Sequence, residues 1–324
     1  MKPRFGRVAV LGLGLLGGSV ALAAKARGVA KQVAGATRSP EALAAAQRGG
    51  ALDEAAGSYA EAARGAELVV LATPVYAMAE VVRQIAPVLR PPAVVTDVGS
   101  VKAVLCETLP GLLPRGVAYV GAHPMAGSHL RGMGNARADL FEGAVCIVTR
   151  SPDGDALERA TGFWRALGAR VVHRDPVQHD AEVAWMSHVP HVLAFAFASA
   201  LEAAPAGAGA VAGAGFRDFT RIAQSDPELW GDILTANRKA LAAPLARAQE
   251  ALAELARLLE ANDADEVERR IASARAALVR ISMSESENGT GARGRRVSPP
   301  APGKPEPSAA SRRGGRGRRS NEPQ

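Results

Sequence analysis

The chain has 324 residues, 48% of them hydrophobic, and this composition predicts a globular protein with a large core. Its formal net charge of +7 comes from residues 288–324, which hold nine Lys or Arg and two Asp or Glu. Subtracting these from the 39 basic and 32 acidic residues of the whole chain leaves 30 of each in residues 1–287. The charge distribution therefore excludes a net basic, nucleic-acid-binding domain in residues 1–287. It allows only weak nonspecific contact with nucleic acid through the tail, residues 288–324.

The beginning of the chain has an ambiguous apolar run. Residues 8–24 carry no charge and follow a basic start, a pattern also found in signal peptides. The run is short and rich in glycine for a membrane span, so no membrane partner is expected. Cys106 and Cys146 form neither a disulfide framework nor a paired metal spacing, which predicts a cytoplasmic location and no metal site.

Residues 7–24, RVAVLGLGLLGGSVALAA, predict a strand, a tight turn and a helix. Gly12, Gly14 and Gly17 match the G-x-G-x-x-G spacing of a dinucleotide-binding loop. The helix that follows would offer free N–H groups and a positive dipole end to phosphates. We therefore expect Gly12, Gly14, Leu15, Leu16 and Gly17 to bind a dinucleotide cofactor.

The end of the second predicted strand, KQVAGAT, bears on which cofactor binds. An enzyme that uses NAD usually places a carboxylate there to bind the ribose 2′-hydroxyl. This chain has Thr37, Arg38 and Ser39 instead. A cation flanked by two hydroxyls suits a 2′-phosphate, so the sequence favours NADP and leaves NAD as the alternative.

Five more strands follow at helix-sized intervals, with alanine-rich helices between the first of them: ELVVLATP, AVVTDVGS, AYVGAHP, AVCIVTR and ARVVHRD. Alternating strands and helices predict a doubly wound parallel sheet of the Rossmann type. Ligands of such sheets bind beyond the carboxyl ends of the strands. Thr73 and Pro74 are therefore expected to contact the cofactor, and Ser100 and His123 to lie close by.

The strand pattern stops near residue 176, and amphipathic helical patterns follow. We predict a dinucleotide-binding domain over residues 1–176, an all-α substrate and dimerisation domain over 177–284, and a disordered tail rich in Arg, Pro, Gly and Ser over 285–324. Pro190 predicts a kink in the first long helix. Asp226 with Pro227 predicts the start of a later one.

Four motifs occur together in the order DVGSVK (97–102), GAHPMAGSH (121–129), SHVPH (187–191) and GFRDFTRIAQSDPELWGDI (215–233). With the glycine loop, they make the chain resemble the prephenate dehydrogenase family, including its arogenate-using members, over roughly residues 6–282. The resemblance implies a homodimer with a Rossmann-type domain and a helical dimerisation domain. It also implies oxidative decarboxylation of prephenate to 4-hydroxyphenylpyruvate in tyrosine biosynthesis.

The resemblance also implies roles for individual residues. His123 would accept the proton of the substrate's C4 hydroxyl, because a neutral imidazole suits that task near pH 7. Ser100 would form a hydrogen bond nearby. From the residues alone it is also a candidate N-cap of the helix that follows it, and both roles can hold together. The resemblance implies that Arg221 binds a substrate carboxylate and that His191 contacts the substrate. Asp218 would be the partner of Arg221 or a simple turn residue. His129 stands at a substrate-site position where many family members have an acid.

Three other functions remain open from the sequence. An arogenate or cyclohexadienyl dehydrogenase would form tyrosine directly with the same site. A 3-hydroxyacid dehydrogenase has a similar domain order but uses a lysine on a helix, and the HPMAG and FTRIA stretches argue against it. A nucleotide-sensing regulator with a nucleic-acid-binding tail is the remote alternative. It is remote because the tail shows no pattern of a folded nucleic-acid-binding domain.

Overall fold

The computed structural model describes residues 4–126 and 130–287, and its centre is a six-stranded parallel sheet. The strand order is β3-β2-β1-β4-β5-β6, which is the order of a doubly wound nucleotide-binding sheet and confirms the predicted fold class. The six strands are β1 (Phe5–Leu11), β2 (Ala30–Ala36), β3 (Glu54–Ala55), β4 (Leu68–Leu71), β5 (Val94–Asp97) and β6 (Ala118–Tyr119).

Helices cover both faces of this sheet, so its central strands are apolar on both sides. In β1, Val8 and Val10 pack into the hydrophobic core on one face, and Ala9 and Leu11 pack into the core on the other. This alternation follows from the two-residue period of a strand. The helices of this part are α1 (Leu15–Ala26), α2 (Pro40–Arg48), α3 (Tyr59–Ala63), α4 (Val75–Ile85), α5 (Ala103–Thr108) and α6 (Gly154–Ala166).

The last three strands form a sheet of their own: β7 (Ala122–Pro124), β8 (Val145–Thr149) and β9 (Arg170–Arg174). β7 is antiparallel to β8, and β8 is parallel to β9. The stretch AYVGAHP, predicted as one strand, is therefore divided between two sheets. In its described part, the connection from β7 to β8 contains a short 3₁₀ turn rather than the long crossover helix that a parallel pair requires.

Helices make up the rest of the described chain: α7 (Pro176–Val183), α8 (Val189–Ala200), α9 (Ala214–Thr220), α10 (Pro227–Ala236), α11 (Arg238–Glu260) and α12 (Ala264–Glu287). A π-helical turn, Ala184–His188, joins α7 to α8 just before Pro190. A wider turn at this point accommodates a proline, which lacks an N–H and crowds the preceding carbonyl. α10 begins as predicted, with the Asp226 carboxylate accepting the Leu229 N–H at 2.6 Å.

Contacts between residues divide the chain into two compact units, Met1–Glu254 and Leu255–Gln324. The sheets and the helices α1 to α10 all belong to the first unit, so the domain boundary at residue 176 stays a prediction from the sequence. Of the helices in the described ranges, one stretch, Pro176–Ala203, is long and apolar enough by length and composition to cross a membrane. His179, Asp180 and His188 in this stretch are buried and hydrogen-bonded within the first unit.

Candidate functional site

The glycine-rich loop between β1 and α1 has the geometry of a phosphate cradle. Gly12 has φ +99°, and a Cβ there would lie 2.5 Å from the carbonyl oxygen of Ala72, so only glycine fits. A Cβ on Gly17 would lie 1.9 Å from the carbonyl oxygen of Gly12, which explains why α1 can pack so closely on the loop. A Cβ on Gly14 would meet no atom within 4 Å, which leaves open space beside the loop.

The open space at Gly14 lies at the amino end of α1, where a dinucleotide would place its pyrophosphate. Gly14 is the N-cap residue and makes no side-chain cap, so the N–H groups of Leu15 and Leu16 remain available as donors. At the end of neighbouring β4, the buried hydroxyl of Thr73 has no hydrogen-bond partner in the described chain. Pro74 follows it as the N-cap of α4. Free donors, open space and an unpaired hydroxyl along one sheet edge fit a bound dinucleotide.

The end of β2 holds the three residues predicted to discriminate between cofactors. Arg38 is exposed and forms no ion pair with any residue in the described ranges. The hydroxyl of Ser39 caps α2, where it accepts the Ala42 N–H at 3.1 Å, and it also donates to the Glu41 carboxylate at 2.7 Å. Thr37 is half-buried where an acid would bind a ribose. Sequence reasoning did not foresee the Glu41 carboxylate beside this position.

His123 lies on β7 and is only 8% exposed. Its Nδ1 lies 2.8 Å from Nε2 of His179 on α7, and Nδ1 of His179 lies 2.8 Å from the carboxylate of Asp180. Burial and the nearby positive charge of Lys102 hold the pKa of His123 well below 6.5. The ring is therefore neutral at pH 7, which is the state that a general base needs.

A buried ion pair lies next to the strand that carries His123. Lys102 and Asp97 are both fully buried, and the Lys102 ammonium donates to the Asp97 carboxylate. Asp97 also accepts hydrogen bonds from the Ala122 N–H and the Tyr119 hydroxyl, both at 2.9 Å. The ion pair thus ties the end of β5 to the residue next to His123. The Lys102 ammonium is therefore occupied by a contact within the protein.

Ser100 is half-buried in the loop between β5 and α5, three residues after Asp97. The candidate role as a helix cap does not hold, because α5 begins at Ala103 with Lys102 at the N-cap position. The carboxylate of Asp180 caps this helix from α7, accepting the N–H groups of Lys102 at 2.7 Å and Ala103 at 3.0 Å. The Ser100 hydroxyl is therefore not needed as the cap of α5.

The histidines of SHVPH separate into a buried and a half-buried one. His188 is 1% exposed, and its Nδ1 lies 2.9 Å from the side-chain amide of Asn237. His191 stacks on the ring of Trp230 at 3.6 Å between centroids. Burial lowers the pKa of His191, and the nearby positive charge of Arg221 lowers it further. His191 and Arg221 lie on segments that contact each other, α8 and the 3₁₀ turn Arg221–Gln224, with Arg221 exposed and in no ion pair among the described residues.

One predicted substrate residue, Asp218, is not part of this cluster. Asp218 is exposed on α9 and makes no ion pair with Arg221 in the described part of the chain. His129 lies outside the described residues. Sequence reasoning missed His179, Asp180, Asn237 and Trp230. The adjacent His and Asp at the start of a helix were the available signal for the first two, but nothing local connects them to a residue on β7.

Comparison with known proteins agrees with this geometry. The family model for the nucleotide-binding domain of prephenate dehydrogenase matches residues 20–173, and the model for its dimerization domain matches residues 175–273. The chain is 35% identical over 238 residues to prephenate dehydrogenase of Bacillus subtilis, an alignment that covers 71% of this chain and 64% of that protein. It is 33% identical to cyclohexadienyl dehydrogenase of Zymomonas mobilis, over 73% of this chain and 83% of that one.

A solved structure is similar over nearly its whole length. Prephenate dehydrogenase from A. aeolicus, in complex with hydroxyphenyl propionate and NAD⁺, superposes with a TM-score of 0.79 at 29% identity and covers 87% of this chain and 98% of that one. The six-stranded parallel sheet agrees with the nucleotide-binding description of the first family model. The chain belongs to the prephenate dehydrogenase family.

Proposed function

We propose that this protein oxidises and decarboxylates prephenate to 4-hydroxyphenylpyruvate, with a nicotinamide dinucleotide as the hydride acceptor. The observation that carries the proposal is the placement of His123. It is a buried, neutral imidazole whose neighbour Ala122 donates its N–H to Asp97 at the carboxyl end of β5, and ligands of parallel sheets bind beyond such ends. The two family models over residues 20–173 and 175–273 support the same activity.

In this mechanism the chain's own residues accept a proton from the substrate and bind its carboxylates. Nε2 of His123 accepts the proton of the C4 hydroxyl while C4 is oxidised. The bound nicotinamide supplies the chemistry of hydride acceptance. The ring carboxylate leaves as CO₂, and the electron pair of the broken C–C bond aromatises the ring, which makes the step favourable. The C4 oxygen, now a phenolate, takes the proton back from His123. Ser100, in the loop that follows β5, is proposed to hydrogen-bond the C4 oxygen.

The substrate carboxylates need a cation, and Arg221 is the proposed partner. Its guanidinium is planar and can bind a carboxylate through two hydrogen bonds. Lys102 is unavailable for this role because it already pairs with Asp97. His191, fixed against Trp230, is proposed to contact the same end of the substrate. Asp218 and His129 remain proposals from the sequence resemblance.

We infer that NADP is preferred over NAD. The exposed Arg38, which forms no ion pair with a described residue, and the half-buried Thr37 at the end of β2 support this preference, and the neighbouring Glu41 carboxylate opposes it. Arg38→Asp should reverse the preference by repelling the 2′-phosphate, whereas Arg48→Asp at the far end of α2 should leave it unchanged. The ratio of kcat/KM with NADP to that with NAD measures the effect. A wild-type protein that already prefers NAD would contradict the inference.

We also infer a homodimer in the cytoplasm. The model that matches residues 175–273 describes a dimerization domain. Exposed aromatic rings support such a contact, because Phe197, Phe216 and Phe219 form a cluster with centroids 5.5–6.2 Å apart on the surface. Cys106 and Cys146 are both free thiols, which agrees with a reducing compartment.

The deciding experiment is a steady-state assay at 340 nm with purified protein. The four combinations of prephenate or arogenate with NADP or NAD distinguish the substrate and the cofactor in one set. We expect turnover of prephenate and formation of 4-hydroxyphenylpyruvate. Turnover of arogenate alone would reassign the protein within the family, and no turnover of either substrate would refute the proposed function.

A further inference from the structure

The side chains behind His123 form a series that the catalytic role of His123 alone does not explain. Nδ1 of His123, Nε2 of His179, Nδ1 of His179 and the carboxylate of Asp180 are joined by two consecutive contacts of 2.8 Å. All three residues are buried. Two consecutive hydrogen bonds in a buried site fix the position of each proton along the series.

The positions of the protons follow from the end of the series. The Asp180 carboxylate already accepts two backbone N–H groups, from Lys102 and Ala103, so it acts as an ionised acceptor. Nδ1 of His179 must then carry a hydrogen and donate it to Asp180. In a neutral His179 this leaves Nε2 as a lone-pair acceptor, which takes a hydrogen from Nδ1 of His123.

The same assignment of donors and acceptors determines which ring nitrogen of His123 carries the hydrogen. With its hydrogen on Nδ1, the neutral ring has its lone pair on Nε2, the nitrogen that no described residue hydrogen-bonds. The opposite arrangement would need a doubly protonated His179, whose Nε2–H would donate to Nδ1 of His123 and leave a hydrogen on the nitrogen that must act as the base. Burial and the positive charge of Lys102 disfavour that extra proton on His179.

We propose that His179 and Asp180 are positioning residues that hold His123 with its proton on Nδ1 and its lone pair on Nε2. The inference rests on the proposed function for its kinetic consequence. When His123 accepts the C4 hydroxyl proton at Nε2, the imidazolium donates from Nδ1 to His179, and the Asp180 charge stabilises it through the intervening ring. No proton has to cross either of the two hydrogen bonds, so the step is complete at His123.

The direct test is ¹⁵N NMR of the wild-type protein with labelled histidine rings, because protonated and lone-pair ring nitrogens resonate far apart. His123→Asn identifies the His123 signals by their loss. We expect Nδ1 of His123 protonated and Nε2 unprotonated at pH 7. A proton on Nε2 would overturn the proposal, whether or not the protein turns over prephenate, so this result is separate from failure of the proposed function.

The kinetic test compares two substitutions of His179, because Asp180 also caps α5 and its replacement could unfold the site. His179→Leu removes the acceptor for Nδ1 of His123, and His179→Gln places an amide oxygen near the position of Nε2. We expect His179→Leu to lower kcat about 10- to 100-fold, part of the 10²–10⁴ that a general base supplies, with KM little changed. His179→Gln should recover much of that loss. The matched control is His173→Gln on β9, away from the series, and kcat of His179→Leu within about twofold of this control would refute the proposal.

The pH profile gives a readout that a purely structural role would not move. Loss of the acceptor should lower the basicity of His123, so the acidic limb of kcat/KM should move to lower pH in His179→Leu. The other charged or titratable groups that face His123 are Lys102 before α5 and His188 in the π-helical turn, and both remain in place in this variant. An acidic limb that does not move in a folded His179→Leu protein would count against the proposal.

Discussion

Replacing Lys102 by methionine tests the buried ion pair that supports the site. Lys102 and Asp97 have side chains that are 0% exposed, so the substitution would leave a buried carboxylate without its counter-charge. Asp97 would keep three donors, the Gly99 and Ala122 N–H groups and the Tyr119 hydroxyl. Removing one partner of a buried pair typically destabilises a protein by about 3–5 kcal/mol, because the remaining charge is desolvated.

The expected size of the effect can be compared with a surface pair in the same protein. Lys25 and Asp53 form an ion pair with side chains 31% and 37% exposed, and such pairs contribute about 0–1 kcal/mol. At about 2–4 °C per kcal/mol for a chain of this size, Lys102→Met should lower Tm by roughly 6–20 °C and Lys25→Met by less than about 4 °C.

Circular dichroism melting curves of the two single variants, the double variant Lys102→Met/Asp97→Asn and the wild type measure these effects. The double variant should recover part of the loss, because it removes the uncompensated charge. If Lys102→Met melts within about 2 °C of Lys25→Met, the ion pair does not stabilise the fold and the reasoning is refuted.

His123→Asn should lower kcat about 10²–10⁴-fold with a modest effect on cofactor affinity, since it removes the base; kcat near the wild-type value in a folded variant would exclude that role. Arg221→Ala should weaken substrate binding by about 2 kcal/mol or more, seen as a KM about 30-fold higher, while Arg238→Ala on α11 should not change KM. Burial lowers the pKa of His188 from 6.5 to about 4, so its neutral form is favoured in the folded state. Stability from this group is complete above pH 6.5 and is lost as the pH falls toward 4, so Tm should decrease over that window, and less so in His188→Gln.

The sequence determined the features that depend on neighbours along the chain. The spacing of Gly12, Gly14 and Gly17 predicted the cofactor loop, because Gly12 and Gly17 stand where a Cβ would clash and Gly14 leaves open space beside the loop. The strand and helix alternation predicted the doubly wound sheet, and Asp226 with Pro227 predicted the start of α10. These signals are local, since strand period, helix capping and backbone angles are set within a few residues.

Only the tertiary structure decided how distant side chains are paired. His123 and His179 are 56 residues apart in the chain, and nothing in either neighbourhood indicates that their rings meet. Lysine side chains are mostly exposed, but the Lys102 ammonium is fully buried on Asp97 at the end of β5. Asp180 took the capping role for which Ser100 was a candidate, because α7 brings a carboxylate to the start of α5. Which groups share a buried space depends on the packing of whole elements, and a pattern of residue types along one segment does not contain that information.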